Sequence, residues 1–291
     1  MKPAPFRYAR PHTLADAVEL LGAGDTDVKI LAGGQSLVPM LNLRLLRPAV
    51  VVDLNGVPGL DRIAPDPAGG LTIGALVRHA ELMAAPLVVE RAPLLAEAAR
   101  HIGHPAIRHR GTLGGSLAHA DPAAELPAAL VALDARFVLQ GRKGTRTVLA
   151  TEFFQGLLTT ALGPDEILVE VQVPRQGPGW GFAEVVRRSG DFALAGVIAV
   201  VRRKPGPAVR CEFARLVGFG VGDRPVRFRA AEDILTREHA ELSIARAAAA
   251  VTCDPPDDVH ASADYRRHLA RVLTEDVLGQ ALEWSGARRR P

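Results

Sequence analysis

The sequence predicts an α+β protein in which two α/β subdomains, about 1–55 and 56–174, are followed by a C-terminal α+β domain over 175–291. Two observations support this prediction. Helix-like and strand-like patterns alternate as far as Pro174, whereas after the linker-like stretch RQGPGWG three strand-like runs precede two alanine-rich helical stretches. With 291 residues, the chain can bury a sizeable core without a disulfide or a structural metal.

The first predicted helix begins after Thr13 and ends at Gly22 and Gly24. Thr13 is suited to cap it, and Asp16 stands where a capping box usually has Glu. One face of this helix is apolar and consists of Leu14, Ala17, Val18 and Leu21. These features predict an amphipathic helix that packs against the strands that follow.

Two short apolar runs, 28–32 and 49–54, predict buried strands, the first of which stops at Gly33-Gly34. In the second subdomain we expect strands over 71–75, 135–140 and 166–174 and helices over 77–85, 93–102 and 122–133. Apolar residues alternate in the last strand, which predicts one shared face for Ile167, Val169, Val171 and Val173.

The C-terminal domain is expected to contain three successive strands and two helices. The strands are predicted over 181–188, 192–203 and 209–220, and the helices over roughly 229–250 and 262–282. The breaker DPPDD separates the two helices.

Composition limits the class of protein. Hydrophobic residues make up 48% of the chain and charged residues 23%, which is typical of a globular protein.

Cys211 and Cys253 are isolated, so this chain cannot hold an iron–sulfur cluster, and a reducing compartment fits best. The start lacks an apolar secretory core, and the longest apolar run, 192–201, is too short to cross a bilayer, so we expect a cytoplasmic protein. A net charge of +3 and 4% aromatic residues argue against nucleic-acid binding.

Two glycine pairs stand about eighty residues apart. The first glycine segment is AGGQS, 32–36, and the second glycine segment is TLGGS, 112–116. Because glycine has no Cβ, such a segment lets a phosphate approach the backbone and leaves N–H groups free to bind it. A single glycine pair is more typical of a tight turn, and neither segment fits the G-x-G-x-x-G pattern of a Rossmann site.

A carboxylate follows the second glycine segment. Glu125 lies nine residues after Ser116, with Asp121 between them. A carboxylate beside a phosphate site is unfavourable unless it faces a ribose hydroxyl, as acidic residues do in dinucleotide sites. Two phosphate-type segments and one ribose-type carboxylate therefore predict a single dinucleotide cradled by both segments.

Four histidines surround the second glycine segment: His101, His104, His109 and His119. The H-x2-H spacing raises the alternative of a metal site, but no cysteine joins them and several arginines crowd the same stretch. We therefore predict no metal and interpret these histidines as surface or loop residues. No nucleophile and base have an informative spacing, so no catalytic residue is predicted and any catalysis belongs to a cofactor.

Five stretches carry a family resemblance: PAPFRYARPHTLADAVELL, ILAGGQSLVPMLNLRL, IRHRGTLGGSLAHADPAAELPAALVALDA, DEILVEVQVP and RRSGDFALAGV. Together they resemble the FAD-binding medium subunit of molybdenum hydroxylases, a family that includes bacterial carbon monoxide dehydrogenases and corresponds to the flavin domain of xanthine dehydrogenase. The resemblance covers nearly the whole chain. It implies two α/β subdomains that hold FAD between them, followed by a C-terminal domain of a three-stranded antiparallel sheet with helices.

The resemblance also implies which residues bind the cofactor. They comprise the two glycine segments with their flanks, the ribose-type carboxylate, a position near the flavin and an aromatic ring beside the isoalloxazine: Ile30, Leu31, Ala32, Gly33, Gly34, Gln35, Ser36, Leu37, Thr112, Leu113, Gly114, Gly115, Ser116, Glu125, Leu168 and Phe192. For Phe192 the alternative is a core aromatic that opens a strand.

The function that the resemblance implies is electron transfer. Electrons would leave a substrate at the molybdenum cofactor of a large subunit, pass two 2Fe–2S clusters on a small subunit and reach an external acceptor through FAD on this chain, in a dimer of heterotrimers. Ser116 and Glu125 stand where xanthine dehydrogenases usually have Asn and Asp, and Ala183 replaces a lysine, which favours the carbon monoxide dehydrogenase-like branch. The alternatives are a stand-alone flavin reductase or oxidase and a non-catalytic nucleotide-binding assembly subunit.

Overall fold

The computed structural model describes residues 2–22, 27–204, 210–239 and 243–286. Gly24, at the expected end of the first helix, lies outside these residues, as do short parts of the third C-terminal strand and of the helical stretch 229–250. Within the described ranges the architecture is α+β, as predicted, and it is built from three main sheets and one short hairpin.

The first sheet is parallel and lies at the N-terminus. It consists of β1 (Arg7–Ala9), β2 (Val28–Leu31) and β3 (Val50–Asp53), in the order β1-β3-β2. Helix α1 (Leu14–Leu21) begins as expected at Thr13, whose side chain accepts a hydrogen bond from the backbone N–H of Asp16. A short helix, α2 (Leu37–Asn42), follows the first glycine segment. The three-residue strand β1 is too short to leave a periodic signal, so the sequence did not predict it.

The second sheet is antiparallel and has five strands. They are β4 (Ile63–Pro65), β5 (Leu71–Gly74), β6 (Arg136–Gly141), β7 (Gly144–Leu149) and β10 (Ile167–Val173), in the order β4-β5-β10-β6-β7. The hairpin of β8 (Phe154–Gly156) and β9 (Thr159–Thr160) lies between β7 and β10 in the chain. All three strands predicted for this subdomain are present.

The predicted single apolar face of β10 is wrong. The pairing register shifts between Leu168 and Glu170, which marks a β-bulge. The bulge divides the strand's apolar residues between two clusters, because Leu168, Val171 and Val173 pack in the large core whereas Ile167 and Val169 pack with the first sheet. Strand β10 therefore joins the cores of the two subdomains.

Seven helices accompany the second sheet: α3 (His79–Ala84), α4 (Pro86–Arg91), α5 (Pro93–His101), α6 (Pro105–Arg110), α7 (Leu113–His119), α8 (Glu125–Ala132) and α9 (Ala150–Phe153). Helices α3, α5 and α8 were predicted, each with slightly longer bounds. A proline opens α4 and α6 at the first helical turn, where its missing N–H needs no partner.

The C-terminal sheet is antiparallel, with strands β11 (Trp180–Val185), β12 (Ala195–Arg203), β13 (Cys211–Phe219) and β14 (Val226–Arg227) in sequential order. Three of these strands were predicted, and the two-residue β14 adds a fourth. Helices α10 (Arg229–Arg237), α11 (Ile244–Ala249) and α12 (Ala263–Gly286) follow. The expected continuous helix over 229–250 is wrong, because the backbone is extended at Glu238, whose carboxylate accepts a hydrogen bond from Arg246 at 2.7 Å.

One large apolar core connects the second sheet with the C-terminal sheet. It includes Phe137 and Phe153 on one side and Phe182 and Phe219 on the other. The domain boundary proposed at Pro174 stays a prediction. None of the helices in the described ranges combines the length and the apolarity that crossing a bilayer requires.

Phe137 provides a test of this core. Its ring is fully buried and packs edge-on against Phe153, with 4.8 Å between the ring centroids. We expect Phe137→Ala to lower the free energy of unfolding by about 3–5 kcal/mol in urea denaturation, because it leaves a cavity. The control Leu157→Ala, at a side chain that is 64% exposed, should change it by less than about 0.5 kcal/mol. Similar losses in the two variants would contradict this assignment of the core.

Candidate functional site

The two glycine segments meet in the structure. Gly33 packs against the peptide that joins Arg110 to Gly111, so closely that a Cβ at this position would overlap the carbonyl oxygen of Arg110 and lie 2.8 Å from the Cα of Gly111. Ala32 in turn faces Gly115, where a Cβ would lie 3.8 Å from the Ala32 methyl group. Glycine at position 33 is therefore required for the contact between the segments.

The first glycine segment presents unpaired N–H groups. Gly34 has a φ of +74°, in the left-handed region that favours glycine. The carbonyls of Ala32 and Gly33 accept hydrogen bonds from the side chains of Asn55 and Gln35, at 2.9 and 3.1 Å. Among the hydrogen bonds of the described residues, the N–H groups over 33–36 have no acceptor. These N–H groups are the kind of donors that an anion would need, and the expected anion site stays a prediction.

The second glycine segment does not have this property, and the prediction that it repeats the same chemistry is wrong. It forms the first turn of α7, with Thr112 as the N-cap. The N–H of Gly115 donates to Oγ1 of Thr112 at 3.1 Å, and the N–H of Gly114 donates to the carbonyl of Ala75 at 2.8 Å. Its glycines instead permit close packing, since a Cβ at Gly114 would lie 2.6 Å from that of Ala75.

A polar network lies behind the first glycine segment, and the sequence did not predict it. The carboxylate of Asp53 accepts hydrogen bonds from the Tyr8 hydroxyl at 2.6 Å and from the backbone N–H of Asn55 at 2.9 Å. Burial raises the pKa of Asp53, but the hydrogen bonds from Tyr8 and Asn55 outweigh burial and lower it overall. A charged Asp53 thus orients the Asn55 side chain that holds the Ala32 carbonyl.

His79 supports the second glycine segment from within the core. It is buried, and its Nε2 lies 2.9 Å from the carbonyl oxygen of Thr112. Burial lowers the pKa of His79 to about 4, although the hydrogen bond to Thr112 opposes the change. The ring is therefore neutral near pH 7, Nε2–H donates to Thr112, and Nδ1 is unprotonated and has no partner in the described part of the chain.

Glu125 lies at the start of α8 and is 5% exposed. Burial, with a smaller contribution from the nearby carboxylates of Glu184 and Asp121, raises its pKa to about 8. Glu125 therefore holds a proton near pH 7 in the FAD-free chain. Such a carboxyl can both donate and accept a hydrogen bond, which suits a hydroxyl partner. No hydrogen bond within the described ranges joins it to either glycine segment.

The interpretation of His101 as a surface or loop residue is wrong. It ends α5, and its Nδ1 lies 2.9 Å from Oε1 of Glu184, whose side chain is almost fully buried. The hydrogen bond to Glu184 raises the pKa of His101, against the effect of burial, with a further contribution from Glu97. His104 and His109 are exposed and His119 is half-buried. In the described residues, no group of three or more His, Cys, Asp or Glu side chains is arranged to hold a metal ion.

Phe192 and Leu168 differ in environment. Phe192 lies in the loop between β11 and β12 and is 63% exposed, so the alternative that it is a core aromatic is wrong. Its loop reaches the segment before α6, because Gly190 packs against Gly103, where a Cβ would lie 2.7 Å from the carbonyl oxygen. Leu168 is buried in the large core. The carbonyl of the next residue, Val169, accepts a hydrogen bond from the backbone N–H of Ala75.

The neutral state of His79 predicts a pH dependence of stability. Because its folded pKa is lowered, the unfolded chain binds the extra proton between about pH 6.5 and pH 4, and stability falls as the pH falls through this window. The gap between these values corresponds to about 3 kcal/mol at pH 4. His79→Gln keeps a donor for Thr112 without titrating, so its free energy of unfolding, measured in urea, should depend less on pH. Parallel pH profiles for the two proteins would rule this out.

The chain matches known families over nearly its whole length. Residues 4–176 match the family described as "FAD binding domain in molybdopterin dehydrogenase", and residues 180–281 match the "CO dehydrogenase flavoprotein C-terminal domain". The chain is 41% identical to the nicotine 6-hydroxylase medium subunit of Paenarthrobacter nicotinovorans, over 97% of this chain and 99% of the relative. It is 38% identical to the carbon monoxide dehydrogenase medium chain of Hydrogenophaga pseudoflava, over 97% and 98% of the two chains.

Solved structures show the same fold. Carbon monoxide dehydrogenase from Hydrogenophaga pseudoflava superposes with a TM-score of 0.93 at 37% identity, over 97% of this chain and 99% of that one. Quinoline 2-oxidoreductase from Pseudomonas putida 86 also gives 0.93 at 37% identity, over 99% and 100%. These relatives are subunits of multi-subunit oxidoreductases. The chain belongs to the family of FAD-binding medium subunits of molybdenum hydroxylases.

Proposed function

We propose that this chain is the electron-transfer subunit of a molybdenum hydroxylase. It takes electrons from 2Fe–2S clusters on a small partner subunit and passes them, through FAD, to an external acceptor. A large partner subunit carries the molybdenum cofactor, and the complex is a dimer of heterotrimers. The observation that carries the proposal is the first glycine segment: its N–H groups over 33–36 have no acceptor among the described residues, and Gly33 packs against the Arg110–Gly111 peptide just before the second segment.

The residues present fit FAD. A diphosphate needs several N–H donors and a backbone that it can approach, and the stretch over 33–36 offers both. The residues that would hold FAD are the predicted ones: those over 30–37 and 112–116, together with Glu125, Leu168 and Phe192. In the second segment, Ser116 is half-buried and its hydroxyl has no partner among the described residues. This hydroxyl is therefore free to make a hydrogen bond to FAD, unlike the backbone N–H groups of Gly114 and Gly115.

When bound, FAD supplies the redox chemistry, and the protein supplies position and polarity. The close contact between Gly33 and the Arg110–Gly111 peptide would set where the cofactor lies. Glu125 carries its proton at a carboxyl oxygen and would donate it to a hydroxyl of the ligand. Neither glycine segment presents a nucleophile paired with a base, in keeping with a subunit that transfers electrons and leaves bond-breaking steps to the partner.

The proposal is tested on the complex obtained by coexpressing this chain with its large and small partners. With a substrate drawn from N-heterocycles, aldehydes and carbon monoxide, the wild-type complex should bleach both its iron–sulfur and its flavin absorbance. A complex that carries Gly34→Val should still bleach the clusters but deliver electrons to the acceptor at least about tenfold more slowly. A flavin that binds but is never reduced by substrate would indicate an assembly subunit. NADPH-dependent turnover by the isolated chain would indicate a stand-alone flavin reductase.

Gly34→Val should abolish FAD retention by the isolated chain. Valine is strained at a φ of +74° by about 1–2 kcal/mol, and its Cβ would lie 3.1 Å from the Leu31 side chain and 3.2 Å from Val38. The matched control is Gly59→Val, which has a similar φ of +84° but open space around the Cβ. Both variants should fold by circular dichroism, and Gly59→Val alone should copurify with FAD. Loss of FAD from both would show that backbone strain, and not the site, decides retention.

Phe192→Ala should leave stability almost unchanged, because the ring is already exposed. If the ring lies beside the isoalloxazine, as proposed, the variant should show a shifted visible spectrum of bound FAD and a changed rate of reoxidation by oxygen. The control is Val259→Ala, since Val259 is 94% exposed in the C-terminal part of the chain. A spectrum and a reoxidation rate equal to those of wild type would remove Phe192 from the site.

A further inference from the structure

Arg78 lies between the two glycine segments. Its backbone forms an isolated antiparallel bridge with Thr112, the cap of α7. Its Nη1 donates a hydrogen bond to the carbonyl oxygen of Arg110, the same oxygen against which Gly33 packs. The guanidinium is therefore within hydrogen-bonding distance of the contact that joins the segments.

The same guanidinium also reaches the first glycine segment through Asn55. Its Nη2 donates to Oδ1 of Asn55 at 2.6 Å, and Nδ2 of Asn55 donates to the carbonyl of Ala32 at 2.9 Å. Arg78 thus binds the Arg110 carbonyl, just before the second glycine segment, directly. It reaches the Ala32 carbonyl of the first glycine segment through Asn55. No other side chain in the described ranges makes hydrogen bonds of this kind toward both segments.

The positive charge of Arg78 has no direct carboxylate partner. Both of its acceptors are neutral, and no Asp or Glu of the described residues lies within ion-pair distance of it. Burial and the like charge of Arg110 lower the pKa of Arg78, and the charges of Asp53 and Asp61 oppose this change. A half-buried guanidinium is usually paired with an anion. Here the guanidinium has no carboxylate in direct contact, and it binds the Arg110 carbonyl against which Gly33 of the first glycine segment packs.

We propose that Arg78 is a cofactor-binding residue that fixes the spacing of the two glycine segments and binds the diphosphate of FAD with its remaining donors. A guanidinium has five N–H donors, of which two are used in the FAD-free chain. Its planar fork suits phosphate oxygens, and charge-assisted bonds of this kind are the strong ones. The inference rests on the FAD site proposed above.

The test is a titration of the FAD-free chain with FAD, followed by flavin fluorescence at several salt concentrations. Arg78→Gln should weaken FAD binding by about 10- to 150-fold, the range that one charge-assisted hydrogen bond of about 1.5–3 kcal/mol gives. It should also flatten the salt dependence of the affinity, because one attractive charge is removed. Arg78→Lys keeps the charge but cannot bridge both acceptors, so it should keep the salt dependence and lose part of the affinity. The control is Arg136→Gln, at an exposed position of β6, which should behave as wild type.

Each outcome is decisive. An Arg78→Gln variant with the wild-type Kd and salt dependence overturns the inference and leaves the proposed function standing, whereas a wild-type chain that does not bind FAD overturns the proposed function itself. A variant that loses thermal stability but keeps the wild-type salt dependence assigns Arg78 a purely structural role. If Arg78→Gln does not fold, Arg78→Lys decides, because an unchanged Kd in that variant shows that bridging the segments is not needed.

Discussion

The contact between Gly33 and the carbonyl of Arg110 is the constraint on which the site depends. No side chain fits between these two backbones, so they can approach this closely only because glycine stands at position 33. This approach brings residues about eighty positions apart in the chain into one surface. The hydrogen bonds of Asn55 to Ala32 and of Arg78 to Arg110 hold that surface from behind. A cofactor that bound across both subdomains would therefore meet a preformed surface, which would reduce the ordering that binding requires.

The two glycine segments have similar compositions but differ in whether their backbone N–H groups are already hydrogen-bonded. The N–H groups of the second segment are consumed by the Thr112 cap and by Ala75, and its glycines serve packing. The N–H groups over 33–36 have no acceptor among the described residues. An anionic ligand that pairs these donors stabilises the folded chain by mass action, so cofactor binding and folding stability are coupled. Glu125, neutral and buried, and the nearby His101–Glu184 pair extend the polar surface toward the C-terminal sheet.

Long periodic segments were predictable from the sequence, and short or context-dependent ones were not. The capped helix α1, the alternating strand β10 and the three long C-terminal strands each carry a local signal. The bulge at Leu168 and the two-residue strand β14 depend on partners far away in the chain, and no local pattern encodes them. For the site, the FAD-binding role expected of AGGQS stays a prediction, although a glycine pair after a strand carries a local signal. The free N–H groups expected of TLGGS are not found, because Thr112 caps α7 and the segment forms the first turn of that helix. Asn55 and Arg78 acquire their roles only through contacts with carbonyls 23 and 32 residues away.

The most direct test of the central claim is residue-resolved amide hydrogen exchange on the full chain with and without FAD. In the FAD-free chain, the amides of Gly34, Gln35 and Ser36 should exchange rapidly, and those of Gly114 and Gly115 slowly, because only the latter are already hydrogen-bonded. FAD should slow exchange strongly at 34–36 and change it little at 114–115. Slow exchange at both segments before FAD is added, or protection that FAD confers on the second segment alone, would contradict the account.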